Sequence, residues 1–248
     1  MSGSVAPQII IGGQGQAGFH NGAGATARKR LRTGKGYRDL STVIVVPTRG
    51  MIPARAVESW MGLMTPMNQH VVRVFVEGME VGAAYNAAVE QILAHPELSK
   101  WKYMLTLEED NLPPPDGLLK LYENIDRYAA VGGLYWTKGE GGQPMIYGDP
   151  LGILNFRPQV PKVDAVQECR GLGMGFTLFR LEIFRDLPKP WFQTVQEWDP
   201  DAGGKAFTQD LYAFKLIAEA GYKVACDTRV KVGHIDQAGL VGAPGFVW

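Results

Sequence analysis

Between residues 40 and 135, short β-branched runs alternate with segments of helical pattern, and this alternation constrains the fold more than any other feature. The runs predict four strands, and the segments between them predict three helices. The predicted strands are 43–46, 71–76, 103–107 and 129–135, and the predicted helices are 54–64, 82–93 and 116–125. The resulting order β-α-β-α-β-α-β is typical of a mainly parallel sheet covered by crossover helices. This part of the chain therefore predicts an α/β domain.

The second half of the chain has a less regular pattern. Short strands are predicted at 153–156, 163–166, 176–179 and 223–225, a short helix at 181–187 and a polar loop at 191–205. The strongest helix pattern covers 208–220, with Thr208 as its N-cap, Asp210 in its first turn and Gly221 as its terminator. A glycine-rich passage at 171–175 predicts close backbone packing. We expect the irregular second half to form a substrate-binding wall beside the regular α/β half.

Length and composition exclude several classes of protein. The chain has 248 residues, of which 46% are hydrophobic, so it can bury one sizeable core and is not disordered as a whole. Its two cysteines, Cys169 and Cys226, do not make a disulfide framework. No apolar run reaches the length of a membrane span, and the first residues lack a signal-peptide pattern. We therefore expect a soluble, cytoplasmic protein.

The first 38 residues form a glycine-rich, basic segment that differs from the rest of the chain. They contain six Lys and Arg and no acid, whereas the formal net charge of the whole chain is zero. The run Gly13-x-Gly15-x-x-Gly18 matches a dinucleotide-binding fingerprint, but no helical pattern opens at its third glycine. We predict a flexible arm over 1–38 and a single domain over 39–248. The arm is either a solubilising extension or a tether to nucleic acid.

Three acids follow the third predicted strand directly, at positions 108 to 110. The carboxyl end of a parallel strand is where open α/β sheets bind ligands. Strand alternation puts Glu108 and Asp110 on the same side, where they can face one hard cation, and points Glu109 away. The alternative is a solvated acidic turn. Asp110 is the stronger candidate for a metal ligand.

Two further residues have both a structural and a functional interpretation. His234 ends a run of alternating valines, and its imidazole would suit Mn²⁺ better than Mg²⁺, although a histidine there is also compatible with an ordinary core or surface position. Asp210 in a first helical turn complements the helix dipole by about 0.3 to 1 kcal/mol. It is equally a candidate general base, and its spacing alone does not distinguish the two roles.

Taken in order, the motifs of residues 41 to 236 resemble those of GT-A-fold glycosyltransferases, close to the family 2-like enzymes of phage and prokaryotic genomes. No single motif is specific, and the resemblance rests on their order and spacing. They are Val45 to Arg49, Tyr85 to Ala88, Leu107 to Asn111, Asp116 to Leu119, Val131 to Tyr135, Gly173 to Leu178, Gln209 to Leu211, Ala220 to Tyr222 and Val232 to His234.

The resemblance implies a role for each matching residue. Asp110 matches the last acid of the DxD signature that holds a divalent cation, with Glu108 in place of the first Asp, and His234 matches the histidine that completes the metal shell. Asp210 matches the catalytic base of inverting members. The remaining matches imply donor contacts: the nucleoside would lie along Pro47, Thr48, Arg49, Glu77 and Asn86, and the transferred sugar near Gly173 and Gly175.

The expected fold is thus a single GT-A, Rossmann-like domain with a mixed, mainly parallel sheet flanked by helices. The expected activity is metal-dependent transfer of a sugar, with inversion favoured, from a nucleotide-sugar that the resemblance suggests is a UDP-sugar. The expected cofactor is a divalent cation, Mn²⁺ in preference to Mg²⁺. The resemblance also implies a hydroxymethylated base in phage DNA as one acceptor, to which the basic arm could be a tether. The alternatives are a nucleotidyltransferase that forms sugar nucleotides and a non-catalytic carbohydrate- or protein-binding module.

Overall fold

The computed structural model describes residues 8–11, 38–139, 141–150, 156–199, 203–236 and 245–247. The strands are β1 (Gln8–Ile11), β2 (Thr42–Thr48), β3 (Val71–Glu77), β4 (Tyr103–Leu107), β5 (Asn111–Leu112), β6 (Ala130–Leu134), β7 (Ile146–Tyr147), β8 (Val166–Cys169), β9 (Gly171–Leu172), β10 (Phe176–Arg180), β11 (Val195–Asp199), β12 (Gly203–Phe207), β13 (Val224–Lys231), β14 (Gly233–Asp236) and β15 (Gly245–Val247). The helices are α1 (Ala54–Gly62), α2 (Val81–Ala94), α3 (Gly117–Asn124), α4 (Ile183–Asp186) and α5 (Gln209–Glu219), with a 3₁₀ turn at Leu98–Lys100.

One sheet of eight described strands organises the domain, in the order β1-β3-β2-β4-β10-β6-β13-β8. Strands β3, β2 and β4 run parallel to one another, and β6 and β13 run parallel on the other side of β10. Strand β10 lies antiparallel between β4 and β6, and β8 and β1 are antiparallel to their neighbours at the two edges. The predicted mixed, mainly parallel α/β sheet is confirmed.

Helices cover both faces of this sheet, so the core has two apolar layers. On one face Tyr85 and Ile92 of α2 pack with Phe214 of α5, and on the other Trp60 of α1 packs with Leu121 of α3. The central strand β2 is buried along almost its whole length, whereas β3 alternates between buried and half-buried positions. This difference is expected for a central strand beside one closer to the sheet edge.

The regular first half matches the sequence prediction closely, and the second half does not. Instead of a polar loop over 191–205, strands β11 and β12 form an antiparallel hairpin. The segment is rich in polar residues and glycine, so its sequence lacks the apolar alternation that predicts a strand. Strands can still pair there, because backbone hydrogen bonds do not require apolar side chains. The strand predicted at 163–166 is displaced to Val166–Cys169, after a turn in which Asp164 adopts a φ of 45°. The strand predicted at 153–156 lies mostly outside the described residues.

Strand β1 shows that a short part of the basic arm pairs with the edge of the domain, since Gln8–Ile11 runs antiparallel to β3. The other residues of 1–37, including the glycine fingerprint, lie outside the described residues, so the flexible arm stays a prediction. In the described part, Cys169 and Cys226 are buried free thiols. None of the described helices combines the length and apolarity needed to cross a membrane.

Candidate active site

The three acids after β4 lie in a turn, where the Asn111 amide donates to the Glu108 carbonyl at 3.1 Å. Strand alternation therefore ends at Leu107, and the expectation that Glu109 points away is wrong. All three acids line a cavity of about 300 Å³ at the carboxyl ends of β2 and β4. Its described lining consists of Pro47, Thr48, Arg49, Met79, Val81, Glu108, Glu109 and Asp110.

Glu109 fixes the loop that follows β2. Its carboxylate accepts hydrogen bonds from the Thr48 hydroxyl at 2.8 Å and from the Arg49 backbone amide at 3.0 Å. The Arg49 guanidinium adds Nε and Nη2 contacts to the same carboxylate, each at 2.6 Å. Both guanidinium nitrogens contact Oε1, while Oε2 accepts from Thr48 and the Arg49 amide, and such charge-assisted hydrogen bonds are stronger than neutral ones. Glu109 therefore orders the loop that forms one wall of the cavity.

A pair of short strands brings His234 to Asp110 from a distant part of the sequence. Strand β14 pairs with β5, which sets His234 opposite Asn111, and the Ile235 amide donates to the Asp110 carbonyl at 2.8 Å. His234 Nε2 then lies 3.7 Å from Asp110 Oδ1. On the other side of the ring, Nδ1 is 2.8 Å from the Trp136 carbonyl. Because a carbonyl only accepts, Nδ1 carries the proton in this contact.

The pair Asp110 and His234 fits a divalent cation. Two donors that bind one ion at about 2.1 Å each lie at most about 4.2 Å apart, and the 3.7 Å separation of Oδ1 and Nε2 is within that limit. A histidine ligand typically donates its other ring N–H to a carbonyl, as His234 does here. The described residues contain no group of three His, Cys, Asp or Glu arranged to hold a metal. Among the described residues, Asp110 and His234 are thus the pair whose spacing would allow them to share one cation.

Lys138 also contacts Asp110, donating from its ammonium group to Oδ2. This lysine follows β6 in a segment whose hairpin is closed by the Thr137 amide donating to the Gln143 carbonyl at 2.8 Å. Nothing in the sequence near Asp110 signals this contact. The one available hint is that Lys138 is the single basic residue in the glycine-rich stretch 136–150.

Glu108 differs in its electrostatics from the other two acids. Burial raises its pKa to about 8, and the charges of Asp110 and Asp210 contribute to the rise. At neutral pH the Glu108 carboxyl is therefore mainly protonated and can donate a hydrogen bond. Its predicted role as a metal ligand stays a prediction.

Asp210 lies at the start of α5, on the same edge of the sheet. It is buried, and its Oδ1 accepts from the Thr208 hydroxyl and from the Leu211 amide, the latter at 2.8 Å. Burial raises the pKa of Asp210 above its ordinary value. The predicted N-cap, Thr208, makes no side-chain cap bond to the helix, and its hydroxyl donates to Asp210 instead.

Tyrosines occupy the space around Asp210 and Glu108. The pKa of Tyr147 is raised to about 12 by burial and then by the charge of Asp210. The pKa of Tyr85 is raised by burial and then by Glu108, and its hydroxyl has no hydrogen-bond partner among the described residues. The Tyr135 hydroxyl accepts from the Gly175 amide at 2.8 Å. The sequence did not single out these tyrosines as site residues.

The predicted glycines are packing positions beside the acids. A Cβ on Gly175 would lie 2.4 Å from Asn111 Oδ1, and one on Gly173 would lie 2.0 Å from the Tyr135 hydroxyl. The Glu108 amide also donates to the Gly175 carbonyl at 3.3 Å. Both glycines thus let the 171–175 passage approach the acidic turn closely.

Two residues predicted to contact the nucleotide-sugar, Glu77 and Asn86, are not among the described residues that line the cavity. Glu77 lies at the end of β3, packed over Gly50, where a Cβ would be 2.5 Å from its Oε1. The side-chain amide of Asn86 forms its hydrogen bonds with backbone groups. Its Nδ2 donates to the carbonyl of Phe192 at 2.6 Å, and its Oδ1 accepts from the amides of Trp191 and Phe192. Asn86 therefore positions the segment that packs Phe192 against Tyr85.

No family model matches the chain, and no curated protein matches it significantly. Among solved structures it is similar to A197 from STIV, with 18% identity and a TM-score of 0.56 over 84% of this chain and 93% of A197. A weaker match is S. aureus TarS 1-349, with 11% identity and a TM-score of 0.41 over 75% of this chain and 57% of that one. The likeness to A197 concerns the fold. This chain folds as a single GT-A-like domain, as its sequence predicts.

Proposed function

We propose that this chain is a metal-dependent glycosyltransferase that moves a sugar from a nucleotide-sugar donor to an acceptor hydroxyl. The observation that carries the proposal is the convergence of Thr48, Arg49, Glu108 and Asp110 on one cavity, with His234 brought to Asp110. Ligands of open α/β sheets bind at the carboxyl ends of the strands, where this cavity lies. Its volume, about 300 Å³, is at the lower end of the range for small-molecule sites.

On the donor side, Asp110 and His234 would hold the divalent cation. An imidazole ligand favours Mn²⁺ over Mg²⁺. When bound, the cation neutralises the charge that develops on the departing diphosphate. Thr48 and Arg49, ordered by Glu109, would position the nucleotide, for which we propose a uridine diphosphate sugar. Glu108 lines the same cavity and would contact the bound donor.

On the acceptor side, Asp210 would take the proton of the attacking hydroxyl. Its buried carboxylate has a raised pKa, which makes it a stronger base than an exposed aspartate. Attack by an activated hydroxyl on the face opposite the departing diphosphate gives inversion, and inversion is the outcome we propose.

The test is a screen of nucleotide sugars for hydrolysis and transfer, with Mn²⁺ and with a chelator. We expect one donor to be hydrolysed with Mn²⁺ and not with the chelator. Formation of a sugar nucleotide from a nucleoside triphosphate and a sugar phosphate would instead indicate a nucleotidyltransferase. Sugar binding without turnover of any donor would indicate a binding module.

The acceptor panel includes duplex DNA with and without hydroxymethylated bases, because the first 38 residues carry six basic residues and no acid. If DNA is the acceptor, its binding weakens as salt is raised, since Lys and Arg displace counterions from the phosphates. Equal transfer to a free sugar and no salt-dependent DNA binding would contradict this part of the proposal.

A further inference from the structure

Lys138 puts a positive charge on the same carboxylate that faces His234. Its ammonium group donates to Asp110 Oδ2, while Oδ1 lies 3.7 Å from His234 Nε2. The Lys138 side chain is 37% exposed and that of Asp110 is 12% exposed. The ion pair therefore lies at the boundary between the buried site and the open part of the cavity.

One backbone segment holds both contacts to the Asp110 and His234 pair. The carbonyl of Trp136 accepts from His234 Nδ1 at 2.8 Å, and Lys138, two residues later, reaches the Asp110 carboxylate. The segment is fixed between them, because the Thr137 hydroxyl accepts from the Gln143 amide at 2.9 Å and closes the hairpin. Lys138 is thus presented to Asp110 by a built feature of the fold.

Arg49, the basic residue in the described lining of the cavity, is held in a different way from Lys138. Arg49 is clamped to Glu109 through two guanidinium nitrogens and its backbone amide. Lys138 instead reaches Asp110 through an ammonium group on a flexible four-carbon stem, which can change partner without moving the backbone. A divalent cation on Asp110 would repel this ammonium group, and a diphosphate bound nearby would attract it.

We infer that Lys138 is a diphosphate-binding residue that pairs with Asp110 until the cation binds and then exchanges to the donor's phosphates. The inference rests on the proposed function, because it assigns the anion that Lys138 would meet. It couples the two ligands: the cation frees the lysine for the nucleotide, and the nucleotide removes the lysine from the carboxylate that binds the cation. By linkage, each ligand then strengthens the binding of the other.

The test compares Lys138→Met with the parent in two titrations of the full chain. The first titrates Mn²⁺ alone, where loss of the competing ammonium group should tighten binding roughly three- to tenfold. The second titrates UDP at saturating Mn²⁺, where loss of a charge-assisted bond should weaken binding roughly 10- to 100-fold. Lys100→Met is the matched control, since Lys100 is 69% exposed and pairs only with the surface residue Glu97 among the described contacts. Lys138→Arg should retain most of the nucleotide affinity.

The opposite signs of the two shifts identify the exchange, because a purely structural loss would weaken both titrations. Unchanged Mn²⁺ affinity in Lys138→Met, or unchanged UDP affinity, overturns the inference. Failure of the proposed function has a separate signature: the parent itself would bind none of UDP, GDP, ADP, CDP and dTDP in the presence of Mn²⁺. That result would remove the diphosphate role of Lys138 together with the proposed function.

Discussion

The acids on the two sides of the candidate site differ in the groups that contact their carboxylates. On the donor side, Glu109 and Asp110 each meet a basic side chain, Arg49 and Lys138, within reach of solvent. On the other side, Asp210 is buried to a similar extent, but its carboxylate receives a hydroxyl and a backbone amide and no basic side chain among the described contacts. The basic side chains beside these acids suit an anionic ligand that arrives with a metal. A buried acid with a raised pKa suits proton transfer.

The largest expected effect comes from removing the proton acceptor on the buried side. In Asp210→Asn, the amide cannot take the acceptor proton, so the transfer rate should fall roughly 10²- to 10⁴-fold with donor affinity nearly unchanged. The measurement is transfer kinetics beside donor binding. Asp186→Asn is the control, because Asp186 is an acid at the surface that accepts from Tyr222. Transfer at the parental rate would remove Asp210 from the mechanism and favour a retaining route.

Replacing Asp110, a proposed metal ligand, should weaken binding of the cation and the nucleotide rather than slow the transfer step. We expect Asp110→Asn to weaken Mn²⁺ binding by more than about 10²-fold. Losing only a residue that hydrogen-bonds to a metal ligand already lowers metal affinity about 10- to 100-fold, and Asp110 is itself the proposed ligand. Calorimetry with Mn²⁺, and then with UDP at saturating Mn²⁺, measures the loss. Asp116→Asn, which changes an exposed acid paired with Lys120, is the control. Parental Mn²⁺ affinity in Asp110→Asn would place the metal elsewhere.

A change at Glu109 should affect the stability of the loop after β2. Glu109→Gln weakens the contacts to Thr48 and Arg49, and because Arg49 is 77% exposed we expect a loss of only about 1 to 3 kcal/mol. Chemical denaturation measures the free energy of unfolding. Glu97→Gln, which disrupts an exposed pair with Lys100, should change it by less than about 0.5 kcal/mol. Equal effects of the two variants would show that Glu109 does not order the loop.

The smallest effect is on the pH dependence of stability. Because the folded pKa of Asp210 is raised by burial, the folded state holds this proton more tightly than the unfolded state. Its contribution to stability is therefore lost as pH rises from the ordinary aspartate value, near 3.8, through the raised value. Asp210→Asn should raise Tm by no more than a few degrees at pH 7 and show no gain below pH 4. A Tm that falls at pH 7 would contradict this account.

The sequence predicted the regular half of the fold well and the assembly of the site only in part. Strand β4 and helix α2 were predicted almost to the residue, because local periodicity determines them. The β11–β12 hairpin and the insertion of β10 between β4 and β6 depend on pairing between distant segments, which no local pattern encodes. The prediction for Glu109 failed because the chain turns at Glu108.

The same limit applies to individual site residues. Asp110 could be selected from its place after a buried strand, and His234 from the resemblance. Lys138 could not, because its contact with Asp110 depends on a hairpin in a glycine-rich segment with no periodicity. Asn86 was assigned to the nucleoside, but its amide is taken up by the backbone of Trp191 and Phe192, which only the packed structure reveals.

The pairing of β14 with β5 has a consequence for the order of folding. About 120 residues separate Asp110 from His234, so the contact between them closes a long loop and contributes to a high contact order. During synthesis the acidic turn leaves the ribosome well before the histidine does, and the sheet strands around β4 can pair first. Affinity for the cation would then arise late and would report that the C-terminal strands have docked. A chain arrested before β14 would retain most of the sheet and lack His234, one of the two proposed metal ligands.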